Sequence, residues 1–212
     1  MAELIRDKIM SGSIGRGEPL REEAVASDYA VSRRTARDAL RVLGDDGLVR
    51  HQRHKGSNVI DFGVEDIVDV YESRRLLEVG AAQWWCKQPP GTGTSRLASL
   101  AESYDWMVVT MSSADDRRIV EADVGFHARV IGLLGSPRVD AFFASIATQM
   151  VYALALLEMS GKDSRTYPDT TLAEHRAIYD ALEARSHEAV ELIEEHVQCH
   201  KHRLVSLVTQ IS

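Results

Sequence analysis

The sequence predicts a mostly α protein in two parts: an N-terminal winged helix-turn-helix over residues 1–62 and a C-terminal all-α bundle of about six helices over residues 63–212. Three observations predict it. First, an arginine-fronted helical pattern, AVSRRTARDALRVLGDDGLV (30–49), runs into an alternating stretch around RHKG. Second, the charge is divided. Residues 1–60 hold 11 Lys and Arg against 9 Asp and Glu, a balance of +2, which leaves −9 for the remainder of a chain of net charge −7. Third, from Val64 onward the apolar spacing is helical and no strand signal occurs.

Composition sets the bounds. With 44% hydrophobic and 27% charged residues, 212 residues suffice for a core of ordinary size. Two cysteines, Cys86 and Cys199, are too few for a disulfide framework, and the opening MAELIRDKIM is charged throughout, without an apolar signal core. The expected compartment is the reducing cytoplasm. The longest uncharged stretch, AFFASIATQMVYALALL (141–157), contains Ser, Thr and Gln and falls short of the ~20 apolar residues of a membrane span. It is expected to be a buried core helix, with no membrane partner.

MAELIRDKIMSG places Leu4, Ile5, Ile9 and Met10 at helical spacing before Gly12, so a short helix is predicted. GRGEPL reads as a turn. A second short helix starts near Arg21 and breaks around Tyr29 to Val31; Ser32 then caps a third that ends near Gly44. The third helix has an apolar back of Ala36, Ala39, Leu40 and Leu43. Its front carries Arg33, Arg37 and Arg41 at intervals of four, with Arg34 beside them. Two short helices joined by a tight turn, the second with arginines outward, are what major-groove reading requires, because the planar guanidinium pairs with guanine edges or phosphate oxygens. GLVRHQRHKGSNVID is predicted to be a β-hairpin, a wing with Arg53, His54 and Lys55 at its tip and Gly56 allowing close approach to the DNA backbone. From Ser32 to Asn58 there are seven basic residues against three acidic. The bland alternative, an arginine-rich surface helix, does not account for the order of helices and basic hairpin.

The segment SGSIGRGEPLREEAVASDYAVSRRTARDALRVLGDDGLVRHQRHKGSNV resembles the winged helix-turn-helix of the GntR family of bacterial transcription regulators. The resemblance implies recognition-helix contacts from Ser32, Arg33, Thr35 and Arg37 and wing-tip contacts from Lys55 and Gly56. Three positions depart from the usual pattern: Ala36 replaces a proline, Arg34 stands where threonine is commoner, and Glu23 stands where many relatives carry a phosphate-contacting arginine.

In the C-terminal part, breaks at KQPPGTGTS (87–95), near 112–115, at GSP (135–137), around 160–169 and at ARSHE (184–188) separate the six predicted helices. Polar residues interrupt the apolar faces. Asp123 and His127 form an i,i+4 pair among Val120, Val124, Val130 and Ile131; His175 lies with Ile178, Tyr179 and Leu182; His196 and His200 fall between Ile193, Val197 and Leu204. A single histidine on such a face is ordinarily a satisfied core residue. A carboxylate there needs a compensating partner, since burying an unpaired charge costs several kcal/mol, and a divalent cation is one such partner. Aspartate with imidazoles is an O/N donor set suited to Zn, Ni, Mn or Fe.

VYESRRLLEVGAA, EADVGFHARVIGLLGSPRV, AEHRAIYDALEA and EEHV resemble the FCD effector domain of the FadR subfamily, in its shorter VanR-like group. The resemblance implies a divalent metal (Zn, Ni or Mn) on Asp123, His127, His175 and His196, with a small carboxylate effector at its open positions. The last interval, 21 residues, is one short of the usual spacing, which leaves His200 as an alternative to His196. Arg74 is the candidate carboxylate clamp, with an i,i+4 salt bridge to Glu78 as its plain alternative, and Gln149 and Tyr152 are candidate pocket residues. Cys86, His51, His187 and His202 carry no such argument. The expected function is a homodimeric regulator that binds a palindromic double-stranded DNA operator and answers to an effector. The rivals are a purely structural metal in the same regulator, and a metal-dependent hydrolase.

Overall fold

The computed structural model describes residues 1–52, 56–112, 116–159 and 168–211. The chain divides into two compact units, Met1–Gly63 and Val64–Ser212. The first unit contains α1 (Ala2–Met10), β1 (Pro19–Leu20), α2 (Glu22–Asp28), α3 (Arg33–Asp45), β2 (Val49–Gln52) and β3 (Gly56–Val59). Ser32 caps α3 as its sequence predicts: Ser32 Oγ accepts the Thr35 N–H at 3.1 Å. The apolar back of α3 (Ala36, Ala39, Leu40, Leu43) is buried in a core with Ile5, Ile9, Leu48 and Phe62.

The wing is antiparallel, with Val49 opposite Val59 and Gln52 opposite Gly56. GRGEPL is more than the predicted turn. Its last two residues form β1, which pairs with β3 (Leu20 opposite Ser57) and makes a three-stranded sheet in the order β1-β3-β2. Two residues are too few for a periodic signal, and Pro19 fits there because the first residue of an edge strand can do without an N–H. The turn between α2 and α3 passes through Ala30 at φ +52°, a left-handed conformation that favours glycine.

Among the described residues the second unit holds six helices: α4 (Val64–Trp85), α5 (Thr94–Met111), α6 (Asp116–Gly132), α7 (Pro137–Met159), α8 (Pro168–Glu183) and α9 (Glu188–Ile211). The turn from α8 to α9 is closed by a left-handed residue and a half-buried guanidinium. Arg185 takes φ +53°, the Ser186 N–H bonds back to Ala181 O at 2.8 Å, and the Arg185 guanidinium donates to Trp85 O and Thr92 O while lying over the Trp85 ring. The uncharged stretch 141–157 differs from expectation. Phe143, Met150, Tyr152 and Ala153 of α7 are buried, but Ala141, Ala144 and Ser145 are exposed and Phe142 is 53% exposed. Apolar composition could not separate a helix buried all round from one with an uncovered face.

Candidate functional site

On the first unit, the cap geometry of Ser32 turns α3 so that Arg33, Arg34, Thr35, Arg37 and Arg41 all face solvent. Three of the four arginines are paired with carboxylates. The Arg37 fork donates to both Glu22 oxygens, at 2.8 and 2.9 Å; Arg33 lies 3.0 Å from Glu23; Arg41 lies 3.6 Å from Asp45. The hydrogen bond to Arg37 is the main cause holding the Glu22 carboxyl below its ordinary pKa. Sequence reading did not pair Glu22 with the arginine front, since fifteen residues separate Glu22 from Arg37. Of the wing-tip residues, Gly56 has φ +88°, whereas Arg53, His54 and Lys55 lie outside the described residues.

On the second unit, α6, α8 and α9 bring Asp123, His127, His175 and His196 together in the core, with one donor atom from each lying within 4.8 Å of the others. All four are buried. The outward nitrogen of each ring is committed: His127 Nδ1–H donates to Glu78 Oε2 at 2.8 Å, His175 Nδ1–H to Thr171 O at 2.8 Å, and His196 Nδ1–H to Glu174 Oε2 at 3.1 Å. With Nδ1 protonated, each neutral imidazole turns a bare Nε2 lone pair inward. His127 Nε2 and His175 Nε2 face one another at 3.2 Å, and His175 Nε2 lies 3.1 Å from Asp123 Oδ1.

Neither Asp123 oxygen accepts a hydrogen bond, and His196 Nε2 has no partner among the described residues. Converging lone pairs and an unbonded carboxylate repel, and a cation is what relieves them. Desolvation pushes the His127 and His196 pKa values down, with neighbouring Arg74 and, for His196, the other imidazoles adding to it, so both rings stay neutral. Burial works to raise the Asp123 pKa, and the Arg74 charge, which persists whatever the state of the imidazoles, is among the causes that hold it below its ordinary value. Neutral imidazoles and an ionised carboxylate are the forms that bind a metal. Phe126 meets His127 and His175 edge-on at 5.4 and 5.0 Å and fixes their ring planes.

The residues fit a divalent transition metal, and His196 is the fourth member of the set. His200 stands one turn along with its ring 4.4 Å from that of His196, and forms a second group with Glu174 and His196. Burial lowers the His200 pKa to about 3, and its Nδ1 is unpartnered among the described residues. Arg74 forms the i,i+4 salt bridge of its plain reading. Its Nε donates to Glu78 Oε1 at 2.6 Å, while its two terminal nitrogens, fully buried, have no acceptor among the described residues. Gln149 is half-buried and Tyr152 buried on α7; neither belongs to the four-residue cluster. The outer acceptors Glu78, Glu174 and Thr171 were not identified from sequence. Glu78 carried a signal, as a carboxylate on the inner face of α4 four residues from an arginine. The acceptor on Thr171 is a backbone carbonyl and carries none.

An exposed arginine helix with a wing, followed by a helical unit whose buried donor set suits a cation, is the arrangement of a DNA-binding protein with a second, helical domain. The model described as "Bacterial regulatory proteins, gntR family" matches residues 1–59, and the FCD domain model matches residues 69–198. The chain belongs to the GntR family, in the group that carries an FCD domain, and is a DNA-binding transcription regulator.

It is similar to the gluconate operon transcriptional repressor of Bacillus subtilis (strain 168), 26% identical over 85% of this chain and 73% of that one. It is also similar to the galactonate operon transcriptional repressor of Escherichia coli (strain K12), 24% identical over 87% and 86%. A GntR regulator from Rhodococcus sp. RHA1 superposes with a TM-score of 0.79 at 26% identity, covering 97% of this chain and 95% of that one. E. coli McbR/YncC shares the fold, with a TM-score of 0.71 at 17% identity over 100% and 96%. These domains and relatives are regulators and not enzymes, which removes the hydrolase alternative. No described helix is long and apolar enough to cross a membrane.

Proposed function

We propose that the protein is an effector-responsive repressor. A homodimer reads a palindromic operator through Ser32, Arg33, Arg34, Thr35, Arg37, Arg41 and the wing, and a small carboxylate bound in the FCD domain alters its operator affinity. The convergence of three Nε2 lone pairs and an unbonded Asp123 carboxylate carries the reading, because a donor set of this kind is costly without a divalent transition metal such as Zn, Ni or Mn. Three neutral imidazoles and one carboxylate leave such an ion net positive, with positions open to carboxylate oxygens.

Arg74 holds two unused donors in the buried face of α4, the geometry of a carboxylate clamp, and Gln149 and Tyr152 of α7 are the further candidates for the pocket wall. Two relatives repress operons named for gluconate and galactonate, both hydroxycarboxylates, and this supports sugar acids as the effector class. The helix that carries Arg74 and Glu78 begins at Val64, where the DNA-binding unit ends, which makes it the route of coupling.

Two measurements test this. Elemental mass spectrometry should find about one transition metal per chain, lost in His127→Ala. D-gluconate and D-galactonate should shift operator affinity in a fluorescence-anisotropy titration. Absence of metal after reconstitution would remove the metal from the account. A sugar acid that binds without changing operator affinity would leave a regulator with a purely structural metal.

A further inference from the structure

We infer that the α6–α7 face of the helical domain is the surface on which two copies of this chain pair, with their α6 helices antiparallel and crossing at Gly125. The inference rests on the homodimer reading above and adds which face forms the pair and in what register. A groove of about 380 Å³ runs between α6 and α7, floored by Gly125, Ala128 and Gly132 of α6 and by Phe143, Ala147 and Val151 of α7. A Cβ built on Gly125 or Gly132 meets nothing within 4 Å, so a second backbone can approach closely there. Beside the groove, α7 exposes Ala141, Phe142, Ala144 and Ser145, part of a 17-residue stretch without a charge. Two adjacent helices, about 25 and 35 Å long and spaced about 9 Å apart, offer roughly 600 Å² per copy. That approaches the ~800 Å² each partner gives to a standard interface.

Charge identifies the occupant and the register. Glu121 and Arg129 both line the groove, four residues before and four after Gly125, and Asp140 at the start of α7 is the third charged residue of the lining. Each lies about 6 Å from Gly125 along the axis. A two-fold axis at Gly125 therefore sets Glu121 of each copy opposite Arg129 of the other, twice, with Val124, Gly125 and Ala128 lining the groove between them. Among the described residues no carboxylate pairs with Arg129. Glu121 pairs with Arg117 at 2.7 Å, with both side chains about half exposed. Exposed pairs of this kind are worth ~0–1 kcal/mol, so exchanging it for a pair across the interface costs little. A parallel pairing, or any unrelated acidic or basic partner, would leave one of the two charges against a like charge.

The test uses the full chain in a Cys86→Ser/Cys199→Ser background. Gly125→Cys should convert most of the protein to a covalent dimer on mild oxidation with diamide, while Gly80→Cys, exposed on α4, should not. In sedimentation equilibrium, Glu121→Arg and Arg129→Glu should each weaken dimerisation at least tenfold, and the double variant should recover to within about threefold of wild type. A dimer that neither crosslinks at position 125 nor shows the charge rescue overturns this face while leaving the homodimer reading intact. A wild-type monomer at ~10 µM overturns both.

Discussion

Glu78→Gln tests whether the metal pocket depends on the groups behind its ligands. In the wild type one carboxylate accepts both Arg74 Nε–H, at 2.6 Å, and His127 Nδ1–H, at 2.8 Å, and all three side chains are fully buried. A carboxamide of the same shape has one acceptor and one donor, so one of the two loses its partner. If the amide N–H₂ turns to His127, the imidazole proton moves to Nε2 and points into the space where that nitrogen should present its lone pair. If it turns to Arg74, two donors face each other and the guanidinium loses its counter-charge.

Removing a partner behind a metal-bound histidine weakens metal binding about 10- to 100-fold, or ~1.4 to 2.7 kcal/mol. Breaking a buried ion pair costs ~3–5 kcal/mol, so a fall in melting temperature of about 10 °C accompanies it. Competition titration of chelator-stripped protein with Zn²⁺, on variant shown to be folded by circular dichroism, reads the first effect. Glu174→Gln should lose less than tenfold, because Glu174 is 35% exposed and water can replace it. Zinc affinity of a folded Glu78→Gln within twofold of wild type would refute the argument.

Other expectations follow from the same geometry. Arg37→Ala should weaken operator binding by ~1–3 kcal/mol without changing metal content, read by anisotropy and elemental analysis. Asp123→Ala should do the reverse, and parallel loss of both activities in both variants would mean misfolding. Glu23→Gln frees Arg33 from its 3.0 Å partner, so affinity for random DNA should rise and the salt slope steepen by up to about one unit. An unchanged slope would show that Arg33 does not meet phosphate. Ala30→Gly, at φ +52°, should stabilise the winged unit by about 1 kcal/mol in urea unfolding.

Metal-free protein should lose stability as pH falls below about 6.5. His127, His196 and His200 have folded pKa values below that of the unfolded chain, so the unfolded state takes up protons that the native state refuses. Each contributes up to ~1.4 kcal/mol per pH unit, His200 down to about pH 3. A flat stability profile from pH 7 to 5 would contradict the buried neutral rings.

The sequence determined the elements and most of the chemistry. Ser32 before an arginine-fronted amphipathic pattern fixed the recognition helix, because capping and 3.6-residue periodicity are local. The i,i+4 spacing placed Asp123 and His127 on one face for the same reason. Resemblance then added His175 and His196 from two other helices. Tertiary structure decided what local rules do not reach. It paired Glu22 with Arg37, and it placed Glu78 and Glu174 behind His127 and His196. It added Leu20 to the wing sheet through partners far along the chain. It gave Arg74 a bond to Glu78 and two idle donors at once, and it set His196 in the four-residue cluster with His200 one turn further along. It also uncovered one face of a helix that composition alone reads as buried. Each of these depends on which surfaces meet, and the spacing of residues along one helix carries no information about the helix that packs against it.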